Sequence, residues 1–425
     1  MPGQQLTQPN TPPDPSHIPD SISQQAVQLE YKNFLNQDDL ISIQSFRRAA
    51  DYIAAAMIFL RNNIFLERDL AFDDIKPRLL GHWGTCPGLV LIYARLNKIV
   101  CDTDVEMLYV VGPGHGAPGI LACLWLEDSL GTFWPKYSRN YEGLFNLIAT
   151  FSVPGGFPSH INGQTPGAIH EGGESGYALS VAFGAAMDNP DLIIPCVIGD
   201  GEAESGPTAA AWHGFKYIDP AESGAVLPIL HINGFKISER TIYGAMDDRE
   251  LVSLFVGYGY QPRIVEDMEN IDHDLAASLS WAISEIHKIQ HATRPGSPIV
   301  KPCWPVILLR ALKEDRPVHF NYHGYPFELQ GLLFGRPGLM ERVTIARYKE
   351  EGTTTSPFDM MLCNNISRFD VATAAIRGGS RVSPKVAVNA HIEMSALRHE
   401  AKKVQDYIYK HGEDPEETYA TPSFD

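Results

Sequence analysis

The chain of 425 residues is poor in several features that would have settled its class at once. None of its six cysteines forms a C-x-x-C pair or stands at metal-ligand spacing from another; Cys86, Cys101, Cys123, Cys196, Cys303 and Cys363 are scattered, most of them in apolar runs. That excludes a zinc ribbon or a disulfide framework and suits reduced, buried thiols in a cytoplasmic protein. Positive charge is scarce too, with 34 Lys and Arg against 51 Asp and Glu and a formal net charge of −17. A field of that sign repels polyanions, so neither nucleic acid nor membrane is an expected partner, and an anionic ligand has to be met by local chemistry. No run is long and apolar enough to span a bilayer. The opening "MPGQQLTQPNTPPDPSHIPD" lacks the apolar core of a secretory signal and the Arg-rich pattern of a transit peptide. Residues 1–28 therefore read as a disordered, Pro-rich leader, and the chain as cytoplasmic. No internal repeat is found.

What is present is an alternation of strands and helices. Helical spacing of Leu, Ile, Phe, Tyr and Met behind acidic cap candidates predicts a helix from Asp39 to about Asn62, followed by the loop "LLGHWGTCPGL". "VEMLYVV" reads as a strand, "GPGHGAPG" as a turn and "GILACLWLEDSL" as a helix; "LIIPCVI", "GDGEAESG" and "PTAAAWHGFKYI" repeat the pattern. The strands "AVLPILHI", "YQPRIV" and "PVILLR", with a helix around Asp274 to Gln290, complete an α/β region built on a doubly wound, mostly parallel sheet. After the polar joint "LRALKEDRP" a smaller α/β domain is expected from Arg316, with a further βαβα pattern and a terminal charged helix "SALRHEAKKVQDYIYKHGED". The expected boundaries are 29–311 and 316–425. Ligands of such sheets gather beyond the carboxyl ends of the strands.

At one of those ends lies "IGDGEAESG", where Asp200, Glu202 and Glu204 crowd a glycine-rich turn of the kind that usually cradles phosphate. A metal resolves the contradiction. Asp200 ends one strand and Asn233 the next, so a carboxylate, a side-chain amide and the backbone carbonyl of Phe235 can offer three oxygens to Mg²⁺, leaving other positions for a diphosphate and water. The ion reverses the local sign, and the helix opening at Gly206 to Thr208 adds its partial positive charge. GDG alone is equally a solvated turn; its pairing with a strand-end Asn is what gives it weight.

Three Gly/Pro-rich loops each carry a histidine: "GHWGT" (His82), "GPGHG" (His115) and "PSHINGQTPGAIHEGGESGYAL" (His160). A lone loop histidine is usually structural or surface, whereas three around one strand-end crevice suggest proton transfer near neutral pH. "VVGPGHGAPG" is not a dinucleotide fingerprint: its spacing is not G-x-G-x-x-G, prolines occupy two positions and no strand-terminal acid follows at the required distance.

The GDG-to-Asn pattern resembles the thiamine diphosphate signature. With the three histidine loops, "LHINGFKIS", "FNYHGYP" and "YKEEGTTTSPFDM", the chain resembles the phosphoketolases over about 29–310 and 318–414. The resemblance implies a thiamine diphosphate-binding fold and cleavage of xylulose 5-phosphate or fructose 6-phosphate with inorganic phosphate to acetyl phosphate and an aldose phosphate. It makes His82, His115 and His160 the active-site histidines around the thiazolium and the substrate hydroxyls, and sets Thr85 and His115 against the cofactor. Gly173 and Glu174 face the aminopyrimidine, Gly201 and Glu202 line the diphosphate, and Asp200, Asn233 and the Phe235 carbonyl hold Mg²⁺.

One departure stands out. In the family a match to "WPVILLR" runs on through a lysine-bearing loop into a central pyrimidine-binding domain, which supplies the glutamate that activates the aminopyrimidine. Here the chain passes directly to the C-terminal region, and Lys313 stands where the family lysine would, without its flanks. Three outcomes follow: a phosphoketolase relative inactive by itself, a subunit working in trans in a mixed oligomer with a full-length phosphoketolase, or a non-catalytic cofactor-binding or regulatory partner. The faces that would have met the absent domain are expected to be apolar and to drive self-association, making a homo-oligomer or mixed oligomer the expected state.

Overall fold

The structure, a computed structural model, describes residues 26–172, 175–236, 240–294, 302–310, 318–322, 343–347, 355–382 and 384–419. Most of the expected leader, Gly173, Glu174, Lys313, the joint at 311–316 and most of "FNYHGYP" and "YKEEGTTTSPFDM" lie outside the described residues. Two compact units divide the chain, Met1–Leu312 and Lys313–Asp425.

In the first unit five strands form one parallel sheet in the order β1-β2-β3-β5-β4: β1 (Val110–Val111), β2 (Ile193–Gly199), β3 (Ala225–Ile232), β4 (Tyr260–Val265) and β5 (Trp304–Arg310). All eight residues of β3 are buried, which is what a central parallel strand covered on both faces requires. The edge strand is shorter than its apolar run. Of "VEMLYVV" only Val110 and Val111 form the ladder, with Met107 making an isolated bridge to Ile193.

Helices α1 (Gln37–Phe59), α2 (Cys86–Thr103) and α3 (Ala117–Leu126) pack on one another. Asn36 starts α1 by accepting the Asp39 N–H at 2.8 Å, and Asp38 and Asp39 complement the positive end of its dipole. α2 begins inside the expected loop: Pro87 sits in its first turn, where a missing N–H costs nothing. Next come α4 (Ser129–Phe133), α5 (Tyr141–Thr150) and α6 (Ala178–Ala186), the last packing on β2 and β3. The expected turn "GDGEAESG" is partly helical, with α7 (Asp200–Ala203) followed by Ser205, which caps the six-residue α8 (Gly206–Ala211). Ser205 Oγ accepts the Thr208 N–H at 3.4 Å and so caps this short helix. α9 (Ile242–Ala245), α10 (Asp248–Tyr258) and α11 (Ile271–Thr293) complete the unit; α10 carries an Asp247/Glu250 capping box and α11 packs on β4 and β5.

The second unit holds a parallel pair, β6 (Val318–Tyr322) and β7 (Val343–Arg347), and helices α12 (Pro357–Cys363), α13 (Arg368–Val382) and α14 (Pro384–His411). Met360, Ala390, Val404 and Ile408 are buried within it, and Arg368 stands over the rings of Phe358 and Phe369 at 5.4 and 5.1 Å. Of the six thiols, all free, Cys86, Cys123 and Cys196 are buried as expected, but Cys101, Cys303 and Cys363 are exposed, because they lie on outward helix faces or beside a strand start. Among the described residues no helix is long and apolar enough to cross a membrane.

Candidate active site

The register of the sheet fixes the acidic corner. Gly199 of β2 pairs with His231 of β3, so Asp200 leaves one strand tip beside the tip that delivers Asn233. The two ends do converge. Asp200 Oδ2 accepts the backbone N–H of Gly234 and the hydroxyl of Thr241, each at 2.7 Å, and Oδ1 accepts the N–H of Gly201 at 3.0 Å. Asn233 Oδ1 accepts the Phe235 N–H at 3.1 Å, turning the backbone at Gly234. Asp200 is only 2% exposed, and burial raises its carboxyl above the usual aspartate value despite those bonds. Its three donors are neutral, so they orient the carboxylate without cancelling its charge. A carboxylate, an amide oxygen and a carbonyl are the hard donor set Mg²⁺ takes, and Asp200 and Asn233 carry the first two of these to neighbouring strand tips. Among the described residues no group of three or more His, Cys, Asp and Glu could hold a metal, so such an ion would rest on these mixed oxygens.

Glu204 and Glu202 have other partners. Glu204 pairs with Lys236 at 2.5 Å and also takes the N–H of Ile242. Glu202 is buried; its Oε1 accepts the Gly176 N–H at 3.1 Å and its Oε2 the Gly199 N–H at 3.3 Å. The carboxyl the resemblance sets beside the diphosphate thus ties loops together here. A Cβ on Gly112 would fall 2.0 Å from Glu202 Oε2, so the turn after β1 closes on this carboxylate only because residue 112 has no side chain. Burial pushes Glu202 up to about 7, against the pull of the backbone N–H groups that donate to it.

Gly112 leads directly into the histidine loops. His82 and His115 stack edge to face with ring centres 5.1 Å apart, and His160 follows at 6.2 Å from His115. Thr85, buried at the start of α2, sets its hydroxyl 3.0 Å from His115 Nε2 and 3.3 Å from His82 Nδ1. The backbone holds the same arrangement: the His82 N–H donates to the His115 carbonyl at 3.0 Å, and the Ile161 N–H to the Gly114 carbonyl at 3.1 Å. Ser159 Oγ lies 3.0 Å from His160 Nδ1. Exposure grades from half-buried His82 and His115 to exposed His160. All three predicted histidines are therefore brought together, while Gly173 and Glu174 fall outside the described residues.

Two participants escaped the sequence reading. His231, 1% exposed near the end of β3, joins the cluster electrostatically and packs so tightly on α2 that a Cβ at Gly88 would meet its Nε2 at 2.3 Å. Among the described residues its Nδ1 has no hydrogen-bond partner. A polar residue in the otherwise apolar strand "AVLPILHI" was the available signal. Thr241, far along the chain from Asp200, left none. Burial, reinforced by His82, His160 and His231, lowers His115 to about 4, and burial alone does the same to His231. Both rings are neutral at neutral pH.

The family model of the XFP N-terminal domain matches residues 34–328 and that of the XFP C-terminal domain residues 309–423. A protein named "Probable phosphoketolase" from Schizosaccharomyces pombe is 55% identical over 305 residues, covering 72% of this chain and 37% of the relative. Its namesake from Nitrosospira multiformis is 50% identical over 298 residues, covering 68% and 37%. The chain thus spans well under half the length of these relatives. A transketolase structure from Pichia stipitis aligns with a TM-score of 0.42 at 17% identity, covering 65% of this chain and 36% of that one. With both family models laid along nearly the whole chain and relatives at half identity or better, this chain belongs to the phosphoketolase family.

Proposed function

We propose that the chain is the diphosphate-binding half of a thiamine diphosphate- and Mg²⁺-dependent phosphoketolase. Its substrates are xylulose 5-phosphate or fructose 6-phosphate with inorganic phosphate, its product is acetyl phosphate, and its place is the cytoplasm. By itself it is inactive. One observation carries this reading: the histidine row, with His115 at its centre, shares the loop after β1 with Gly112, which closes on Glu202 beside the corner where Asp200 meets the Asn233 strand tip.

Asp200, Asn233 and the Phe235 carbonyl would hold the ion and through it the diphosphate. When bound, thiamine diphosphate supplies the electron sink for carbon–carbon cleavage. The chain's own residues handle protons. A neutral imidazole has one donor and one acceptor nitrogen, so His115 can take a proton at one edge and release one at the other. Thr85 Oγ sits between His115 Nε2 and His82 Nδ1 and fixes which edges face one another. His160, the exposed member, stands where an entering sugar phosphate meets the row first. Inactivity of the isolated chain is supported by the matches themselves: the N-terminal model ends at 328 and the C-terminal one begins at 309, leaving no room for a domain between them.

The test is an acetyl phosphate assay on the pure chain, alone and mixed with a full-length phosphoketolase whose own Mg²⁺ ligands have been replaced. Activity of the chain alone overturns the proposed inactivity. Activity only in the mixture shows that it works in trans, and cofactor binding without activity in either case leaves it a regulatory partner.

A further inference from the structure

Away from the strand tips, α11 carries a separate pair of imidazoles. His287 and His291 stand one turn apart, with ring centres 6.4 Å from each other and planes tilted by 58°. Residues four apart on a helix lie on the same face. Both edge a groove of about 700 Å³ that is also lined by Ile99 and Thr103 of α2 and by Ser284, one turn before His287. His287 is half-buried and His291 exposed. The cations beside them are engaged: Lys288 pairs with Glu285 at 2.7 Å and Arg294 with Asp191 at 2.9 Å. Partial burial, with His291 and Arg294 nearby, holds His287 below the ordinary histidine range, so its ring keeps a lone pair at neutral pH.

We propose that His287 and His291 form a bidentate site for a transition-metal dication of the Zn²⁺ or Cu²⁺ class, separate from the thiamine diphosphate corner. The spacing is that of the paired histidines of helical zinc motifs. Two imidazoles sharing one ion at N–metal bonds of about 2.0–2.1 Å stand roughly 5 Å apart, centre to centre. Closing the pair from 6.4 Å takes side-chain rotation on a rigid helix. The protein supplies two ligands, and water or a donor entering the groove takes the other positions. Imidazole prefers Cu²⁺ over Zn²⁺ and has little affinity for Mg²⁺, so this site and the Asp200 corner select different ions.

The full chain, stripped with chelator, is titrated with Cu²⁺ beside H287N, H291N and the double variant, and the bound ion is read by electron spin echo modulation. The double variant is expected to bind one copper fewer and to lose the two-imidazole signature of that site. Each single variant is expected to bind that copper roughly 100-fold more weakly, since one arm of the chelate is gone. Zn²⁺ is expected to raise the melting temperature of the parent chain and not of the double variant, with all four proteins melting alike in chelator. Because His82, His115, His160 and His231 also offer imidazoles, the reading is the difference between parent and variant. Unchanged copper stoichiometry in the double variant overturns the proposal, as do single variants that bind as tightly as the parent. The outcome is independent of whether thiamine diphosphate binds.

Discussion

On the histidine wall of the site, burial works toward the useful state: it holds His231 at about 4 by itself and His115 at about 4 with help from the neighbouring imidazoles, so both are neutral. At the strand tips the same burial works the other way. Asp200, as deeply buried as His231, is raised above its ordinary value although three neutral groups donate to it, and Glu202 is pushed up to about 7. Removing water favours the uncharged form of either group, but uncharged is the working form of an imidazole and the idle form of a metal-binding carboxylate. Under the proposed function the acidic wall therefore works with a cation beside it, and the histidine wall works without one.

The contrast can be broken from either side. The largest effect is expected from Asp200→Ala, which should lower the Mg²⁺-dependent affinity for thiamine diphosphate by at least about 100-fold, measured by calorimetry with and without the metal. Substituting the other wall should separate binding from chemistry. His115→Asn is expected to leave cofactor affinity within a few-fold while lowering acetyl phosphate formation in the complemented mixture by about 10²–10⁴, the usual contribution of one positioned proton-transfer group. Gly112→Ala pushes a methyl into the Glu202 carboxylate and should cost about 1–3 kcal/mol in denaturant unfolding, the price of overpacking a closed junction.

The smallest effect sharpens the comparison through pH. Since Glu202 titrates at about 7 when folded against an ordinary 4.5, the folded chain holds the extra proton between those values. Its contribution is fully present below about 4.5 and lost as pH rises through about 7. Glu202→Gln should flatten that part of the melting-temperature profile, and a slope that persists unchanged would assign it to another group.

Much of this architecture is legible in the residues, and the exceptions have physical causes. The apolar runs of β2 and β3 announce central strands because both faces are covered, and the strand ends then fix where Asp200 and Asn233 emerge. "VEMLYVV" promises a longer strand than it forms, since an edge position pairs on one side only and its apolar residues are satisfied by packing instead. α2 hides behind Gly and Pro, which read as loop although Pro is tolerated in a first helical turn. Among site residues, the histidine row and acidic corner were readable from local composition. The inward turn of Glu202 was not, because Gly199 is its only local partner, and Gly112 and Gly176 come from two distant segments that only the fold brings to it.

That last junction has a consequence for anyone diversifying this scaffold. Positions 112 and 202 form one steric unit, so a library varying position 112 alone should be enriched in glycine, and the more so the more stringent the selection for stability. Varied together, a shorter acid at 202 should give back the space that a methyl at 112 takes, so the two substitutions should be less costly in combination than their separate effects add up to.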